Sequence, residues 1–195
     1  MTRSQAPFSL EYILLGFLFQ APIHGYDLYK KITQLEAISL VWHIKQNQLY
    51  ALLDKLKGNG LLTSTMTPGE SYPIRKEYKI TPTGRRVFLD WVTSPVKHGR
   101  EMRQEFLAKL YFAQQSGLLV SLELIEEQRA VCIEWLASFQ TSLSNLTEEQ
   151  YFEKILFSYR LSQTQAMLAW LDGSSVEIQT AHTRLRGMKP QDTTV

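Results

Sequence analysis

Residues 45–81 read KQNQLYALLDKLKGNGLLTSTMTPGESYPIRKEYKIT, and the order of signals in this stretch decides the fold. Leu49, Leu52, Leu53 and Leu56 recur at i, i+3, i+4 and i+7, which predicts a helix over about Lys45–Lys57 with its apolar stripe toward a core. The other face carries Gln46, Asn47, Tyr50, Asp54 and Lys57, and Gly58-Asn59-Gly60 is a C-terminal stop. Two short β segments follow. Leu61–Thr67 carries Thr63, Thr65 and Thr67, and Arg75–Thr81 alternates Lys76, Tyr78 and Ile80 with Glu77 and Lys79. The intervening Pro68–Pro73 has the chemistry of a turn.

Upstream, Leu10, Ile13, Leu14, Phe17 and Leu18 mark a first helix capped by Ser9 and stopped at Ala21-Pro22. A second helix is expected over Gly25–Leu35 on a stripe of Tyr26, Tyr29 and Ile32. Downstream, Thr81 caps a further helix with Pro82 at its first position, carrying Val87, Phe88, Trp91 and Val92 and ending at Ser94-Pro95. Three helices, a β-hairpin and a closing helix make a winged helix–turn–helix. Its third helix is the recognition helix and its hairpin the wing.

The rest reads as helix throughout. Arg103–Gln115 is one helix, broken at Ser116-Gly117. Leu118, Leu122, Ile125, Arg129, Cys132, Leu136, Phe139 and Leu143 then form a heptad seam with one charged intrusion. A last helix is expected from Thr147, capped with Gln150, on a stripe of Phe152, Ile155, Tyr159, Ala166 or Met167, and Trp170. Asp172-Gly173-Ser174-Ser175 closes it, leaving a polar tail after Gly187. The fold class is mainly α with a small β-hairpin. Residues 1–95 form the winged-helix domain and residues 96–195 an all-α dimerisation domain.

The composition fits a globular chain. Of 195 residues, 44% are hydrophobic and 21% charged, which excludes a disordered or fibrous class. The net charge of +2 hides an asymmetry. Residues 1–97 carry 12 Lys/Arg against 7 Asp/Glu, and residues 98–195 carry 9 against 12, so a basic half precedes an acidic one. A single cysteine, Cys132, excludes a disulfide framework and a cysteine-cluster metal site. The longest early apolar run, Tyr12–Phe19, is too short to span a bilayer, so no membrane association and a cytoplasmic location are expected.

Four motifs in order carry a family resemblance. They are Leu14-Leu15-Gly16-Phe17-Leu18, Pro22-Ile23-His24-Gly25-Tyr26-Asp27-Leu28, Gln48 to Leu56 leading to Gly60-Leu61-Leu62, and Arg75 to Gly84. Over about residues 9–93 the chain resembles the PadR family of bacterial transcriptional regulators. Its helical second half is similar to the C-terminal domain of the virulence-activator (AphA-like) branch. Many relatives have Ser-Pro where this chain has Lys45-Gln46, so the recognition helix lacks a proline start here. The resemblance implies a winged-helix dimer that represses or activates genes, often in response to a small molecule.

The expected partners are double-stranded DNA, a second copy of the chain and a small-molecule effector. The alternative is a protein-interaction module of the same fold. On the recognition helix, Gln46, Asn47 and Gln48 suit adenine edges, and Tyr50 a phosphate or base edge. On the wing, Arg75, Lys76 and Lys79 suit phosphates, or alternatively form a charged strand edge that resists aggregation. His24-Gly25-Tyr26 opens the second helix, where backbone N–H groups can hold a phosphate with help from Tyr26 and Lys30. An inward-packed Tyr26 is the other reading. Leu118, Leu122, Ile125, Leu136, Phe139 and Leu143 are the candidate dimer contacts, or else ordinary core. Trp42, Trp91, Trp135 and Trp170 suit either core or an effector pocket. The four histidines lack metal-ligand spacing, and no nucleophile or phosphate-loop motif occurs, so no catalytic residue, metal or cofactor is assigned.

Overall fold

The computed structural model describes residues 10–35, 44–67 and 75–187. The expected Ser9 cap, the turn at Pro68–Pro73, Trp42 and the tail beyond Gly187 lie outside the described residues. The chain divides into two units, the first running to Ser94 and including Arg100–Phe112, the second made of Pro95–Gly99 and Ala113 onward.

The first unit is built around α1 (Leu10–Gln20). Six consecutive residues, Ile13 to Leu18, are buried, so this helix is covered on all sides. After Ala21-Pro22 the chain forms β1 (Ile23–His24) and turns at once into α2 (Gly25–Gln34). The buried row of α2 is Leu28 and Ile32, not the expected Tyr26-Tyr29-Ile32 stripe, and Tyr26 is exposed. The i, i+4 spacing of the two aliphatic residues wins because they carry no polar tip to keep in water.

The expected recognition helix is α3 (Gln46–Gly58), with Leu49, Leu53 and Leu56 buried and Leu52 half-buried. It ends in a Schellman motif. Gly60 has φ +71, its N–H donates to the Lys57 carbonyl, and the Leu61 N–H donates to the Leu56 carbonyl, both at 3.0 Å. Then come β2 (Leu62–Thr67) and β3 (Arg75–Ile80), antiparallel, with Leu62 opposite Ile80 and Ser64 opposite Tyr78. The sheet order is β1-β3-β2, so the wing's return strand lies in the middle.

Thr81 caps α4 (Pro82–Thr93) by accepting from the Gly84 N–H at 3.0 Å, and its hydroxyl donates back to the Gly60 carbonyl at 2.8 Å. One threonine thus ties the end of α3 to the start of α4. Gly84 is required here, since a Cβ would stand 2.2 Å from the Leu61 carbonyl oxygen.

A 3-10 turn (Gly99–Arg103) leads into α5 (Glu105–Ser116), and the boundary between the units falls inside that helix. Phe112 packs edge-on against Phe17 and Phe88 at 5.4 and 5.6 Å, and Tyr12 stacks on Trp91 at 5.0 Å. Lys109, 2% exposed, donates to the carbonyls of Trp91 and Ser94, each at 2.8 Å, and lies 3.6 Å from Glu105. These bonds satisfy the C-terminal carbonyls of α4 with a buried cation.

In the second unit α6 (Leu118–Ser144) packs along α7 (Tyr151–Gly187). Of the heptad seam, Ile125 and Cys132 are fully buried, while Leu118, Leu122, Leu136, Phe139 and Leu143 are half-buried. The charged intrusion is accounted for within the chain, because Arg129 pairs with Asp172 of α7 at 2.6 Å and with Glu126. Buried Gln128 acts as a peptide-like partner to the connector, accepting from the Val96 N–H at 2.7 Å and donating to its carbonyl at 3.3 Å. The Thr147–Gln150 capping bond forms at 3.0 Å, but the helix proper starts at Tyr151.

Two expectations for the last helix are corrected. It does not close at Asp172–Ser175 but runs through Gly173 to Gly187. The buried Leu171 and the Asp172–Arg129 pair hold this segment on α6, and a single helical glycine costs only about 1 kcal/mol. The expected apolar stripe is also not a core face. Phe152, Ile155, Tyr159 and Trp170 are 65%, 62%, 56% and 41% exposed.

Candidate nucleic-acid interface

Burial of Leu49, Leu53 and Leu56 fixes the rotation of α3 and leaves Gln46, Asn47 and Gln48 exposed on its first turn, with Tyr50 half-buried. Lys45 occupies the N-cap in extended backbone and makes no side-chain cap bond. Asn47 partly fills that role, its Oδ1 accepting from the Gln48 N–H at 2.9 Å. The amide side chains of Gln46 and Gln48 are thus presented outward from the helix N-terminus.

The short strand β1 decides what stands beside this helix. Its pairing with β3, Ile23 opposite Tyr78 and His24 opposite Glu77, brings the start of α2 next to the base of the wing. The result is a cavity of about 470 Å³ lined by His24, Gly25, Tyr26 and Asp27, by Tyr50 of α3, and by Arg75 and Lys76 of β3. Five of the expected site residues therefore meet in one notch. Gly25 makes it possible, since a Cβ there would stand 2.7 Å from Cε1 of Tyr50. The first-turn N–H groups of α2 open here, and the helix dipole adds positive potential for an anion. His24 Nδ1 is buried and has no hydrogen-bond partner among the described residues.

Cations surround the notch. Lys30 lies 4.8 Å above the Tyr26 ring. Lys76 lies 5.4 Å above the Tyr78 ring, and its Nζ is 3.3 Å from Asp54 of α3. Burial works against the Lys76 charge, but the bond to Asp54 and the Tyr78 phenol outweigh it and hold the ammonium above its usual range. The Lys76–Asp54 pair is exposed and contributes at most about 1 kcal/mol. Lys79 is exposed on the other face of β3 from Lys76 and does not line the notch.

The sequence reading did not single out Asp27, which lines the notch, or Asp54, which holds Lys76. Asp54 lies seven residues after Asn47 and four after Tyr50, a spacing that places all three on one helix face. That spacing was the available signal. Among the described residues there is no His/Cys/Asp/Glu group able to hold a metal ion, and no helix is long and apolar enough to cross a membrane.

Residues 14–90 match the transcriptional regulator PadR-like family, and residues 102–176 match the virulence activator alpha C-terminal family. The negative transcriptional regulator PadR of Bacillus subtilis (strain 168) is 26% identical over 172 residues, covering 84% of this chain and 93% of that protein. Among solved structures, Bacillus subtilis PadR in complex with operator DNA is 23% identical, with a TM-score of 0.44, covering 87% of this chain and 98% of that one. The Vibrio cholerae virulence activator AphA is 26% identical, with a TM-score of 0.37, covering 89% and 99%.

Proposed function

Since this chain belongs to the PadR-like family of transcriptional regulators, we propose that it binds double-stranded DNA sequence-specifically, as a homodimer on an inverted repeat. The observation that carries this reading is the convergence of the exposed α3 amides, the α2 N-terminus and the wing base on one surface. Gln46, Asn47 and Gln48 enter the major groove and read base edges. Tyr50, Arg75 and Lys76, with His24, Tyr26 and Lys30, hold a backbone phosphate at the notch, while Lys79 reaches the backbone separately.

A second copy supplies the second half-site. It docks on the C-terminal unit, where Phe152, Ile155, Tyr159 and Trp170 of α7 are exposed. The half-buried Leu118, Leu122, Leu136, Phe139 and Leu143 of α6 contribute to that interface, whereas Ile125 is already filled by its own unit. A small-molecule effector would act by binding two conformations of the dimer unequally. The protein works in the cytoplasm, on the chromosome.

Separate substitutions test the division of labour. Arg75→Ala and Lys76→Ala should each weaken binding to all duplexes and reduce the salt slope by about one. Gln48→Ala should instead relax base preference at one position, at a cost of about 1–3 kcal/mol on the preferred sequence. Fluorescence anisotropy on matched and mismatched duplexes separates the two. Uniform loss on all duplexes for Gln48→Ala would overturn its assignment as a base reader.

A further inference from the structure

An acid on a surface built for DNA calls for a physical reason. Asp54 shares the outward face of α3 with Asn47 and Tyr50, and its side chain is 64% exposed. Its ion-pair partner among the described residues is Lys76, which lines the notch. The pair is exposed and single-contact, so a phosphate that draws Lys76 away meets little resistance. The consequence falls on Asp54. Once Lys76 turns to the backbone, a bare carboxylate is left facing a polyanion, and the complex is penalised unless a base-edge donor meets it. The carboxylate's partner in the major groove is the N4 amino group of cytosine.

We infer that Asp54 is a specificity-determining residue, which makes tight binding conditional on a cytosine amino group opposite α3 and penalises every duplex that lacks one. This rests on the reading of α3 as the recognition helix. Lys76 and Asp54 then act as an exchange pair. In the free protein they neutralise each other, and on the operator each takes its own DNA partner. Unrelated DNA satisfies Lys76 but not Asp54. The acid therefore lowers non-specific affinity, which in a genome full of competing sites raises the effective specificity.

The test measures the affinity of wild type, Asp54→Ala and Asp54→Asn for a duplex enriched by in-vitro selection and for an unrelated duplex of equal length, over a range of salt. Asp54→Ala should tighten binding to the unrelated duplex several-fold and lower the ratio of specific to non-specific affinity by roughly tenfold. Asp54→Asn should move the preferred base at one position from cytosine toward adenine, because a carboxamide pairs with adenine. Unchanged ratios and base preferences in both variants, with a wild type that discriminates, would refute the role of Asp54 alone. A wild type that does not discriminate between the duplexes would overturn the recognition-helix reading, and this inference with it.

Discussion

Lys109 shows how one side chain ties local chemistry to stability. Burial pushes its ammonium down to about 8, against the opposing pull of Glu105. Below that pH the lysine is charged in both folded and unfolded chains, and its desolvation penalty is constant. Between about 8 and 10.5 the unfolded chain binds more protons than the folded one, so stability rises with pH across that window. Lys109→Met removes the titration and also strands the carbonyls of Trp91 and Ser94. Chemical unfolding at pH 7 and pH 10 should show the wild type gaining on this variant at the higher pH. A gap that does not change with pH would mean that Lys109 is not desolvated as described. Nothing in the sequence marks this lysine, because its burial depends on where α4 ends relative to α5.

At the scale of the element, what was legible follows from how local the cause is. The leucine row of α3, the Gly60 stop and the Thr81-Pro82 start each depend on a few neighbouring residues, and each stands where the sequence puts it. β1 was not legible, because two residues have no periodicity and the strand exists only by pairing with β3. It is also the element that brings α2 to the wing, so the notch was visible as separate residues and not as one site. The end of α7 failed for the opposite reason. Gly173 and two serines resemble a stop, but contacts distant in sequence, Leu171 in the core and Asp172 on Arg129, carry the helix onward. A Cβ on Gly173 would meet nothing within 4 Å. Gly173→Ala should therefore stabilise the protein by up to about 1 kcal/mol, raising its thermal midpoint. A destabilised variant would argue for a break in the helix at that position.

At the scale of the whole molecule, the division of charge and apolar surface fits the proposed division of labour. The basic half carries the notch and the helix proposed to read bases, and the acidic half carries an apolar helix face left exposed in its own unit. Periodicity marks Phe152, Ile155 and Tyr159 as one stripe of α7, but the structure leaves that stripe exposed within its own unit, and periodicity carries no information on whether a second chain covers it. Placing glutamate at both Ile155 and Tyr159 should convert a dimer to a monomer by sedimentation, because charges in an apolar contact are costly. Affinity for an inverted repeat should then fall toward that for one half-site. A dimer that survives both substitutions would remove the exposed face of α7 from the interface and leave the half-buried α6 seam as its remaining candidate.

The central claim, a dimer that reads two half-sites through α3, is tested most directly by selecting bound sequences from a random duplex library and titrating the enriched pool at two salt concentrations. The account predicts an inverted repeat whose half-site centres lie about 10 bp apart, or a multiple of that, bound with a steep salt dependence. A pool with no enriched sequence, bound weakly and equally by wild type and Gln48→Ala, would contradict it.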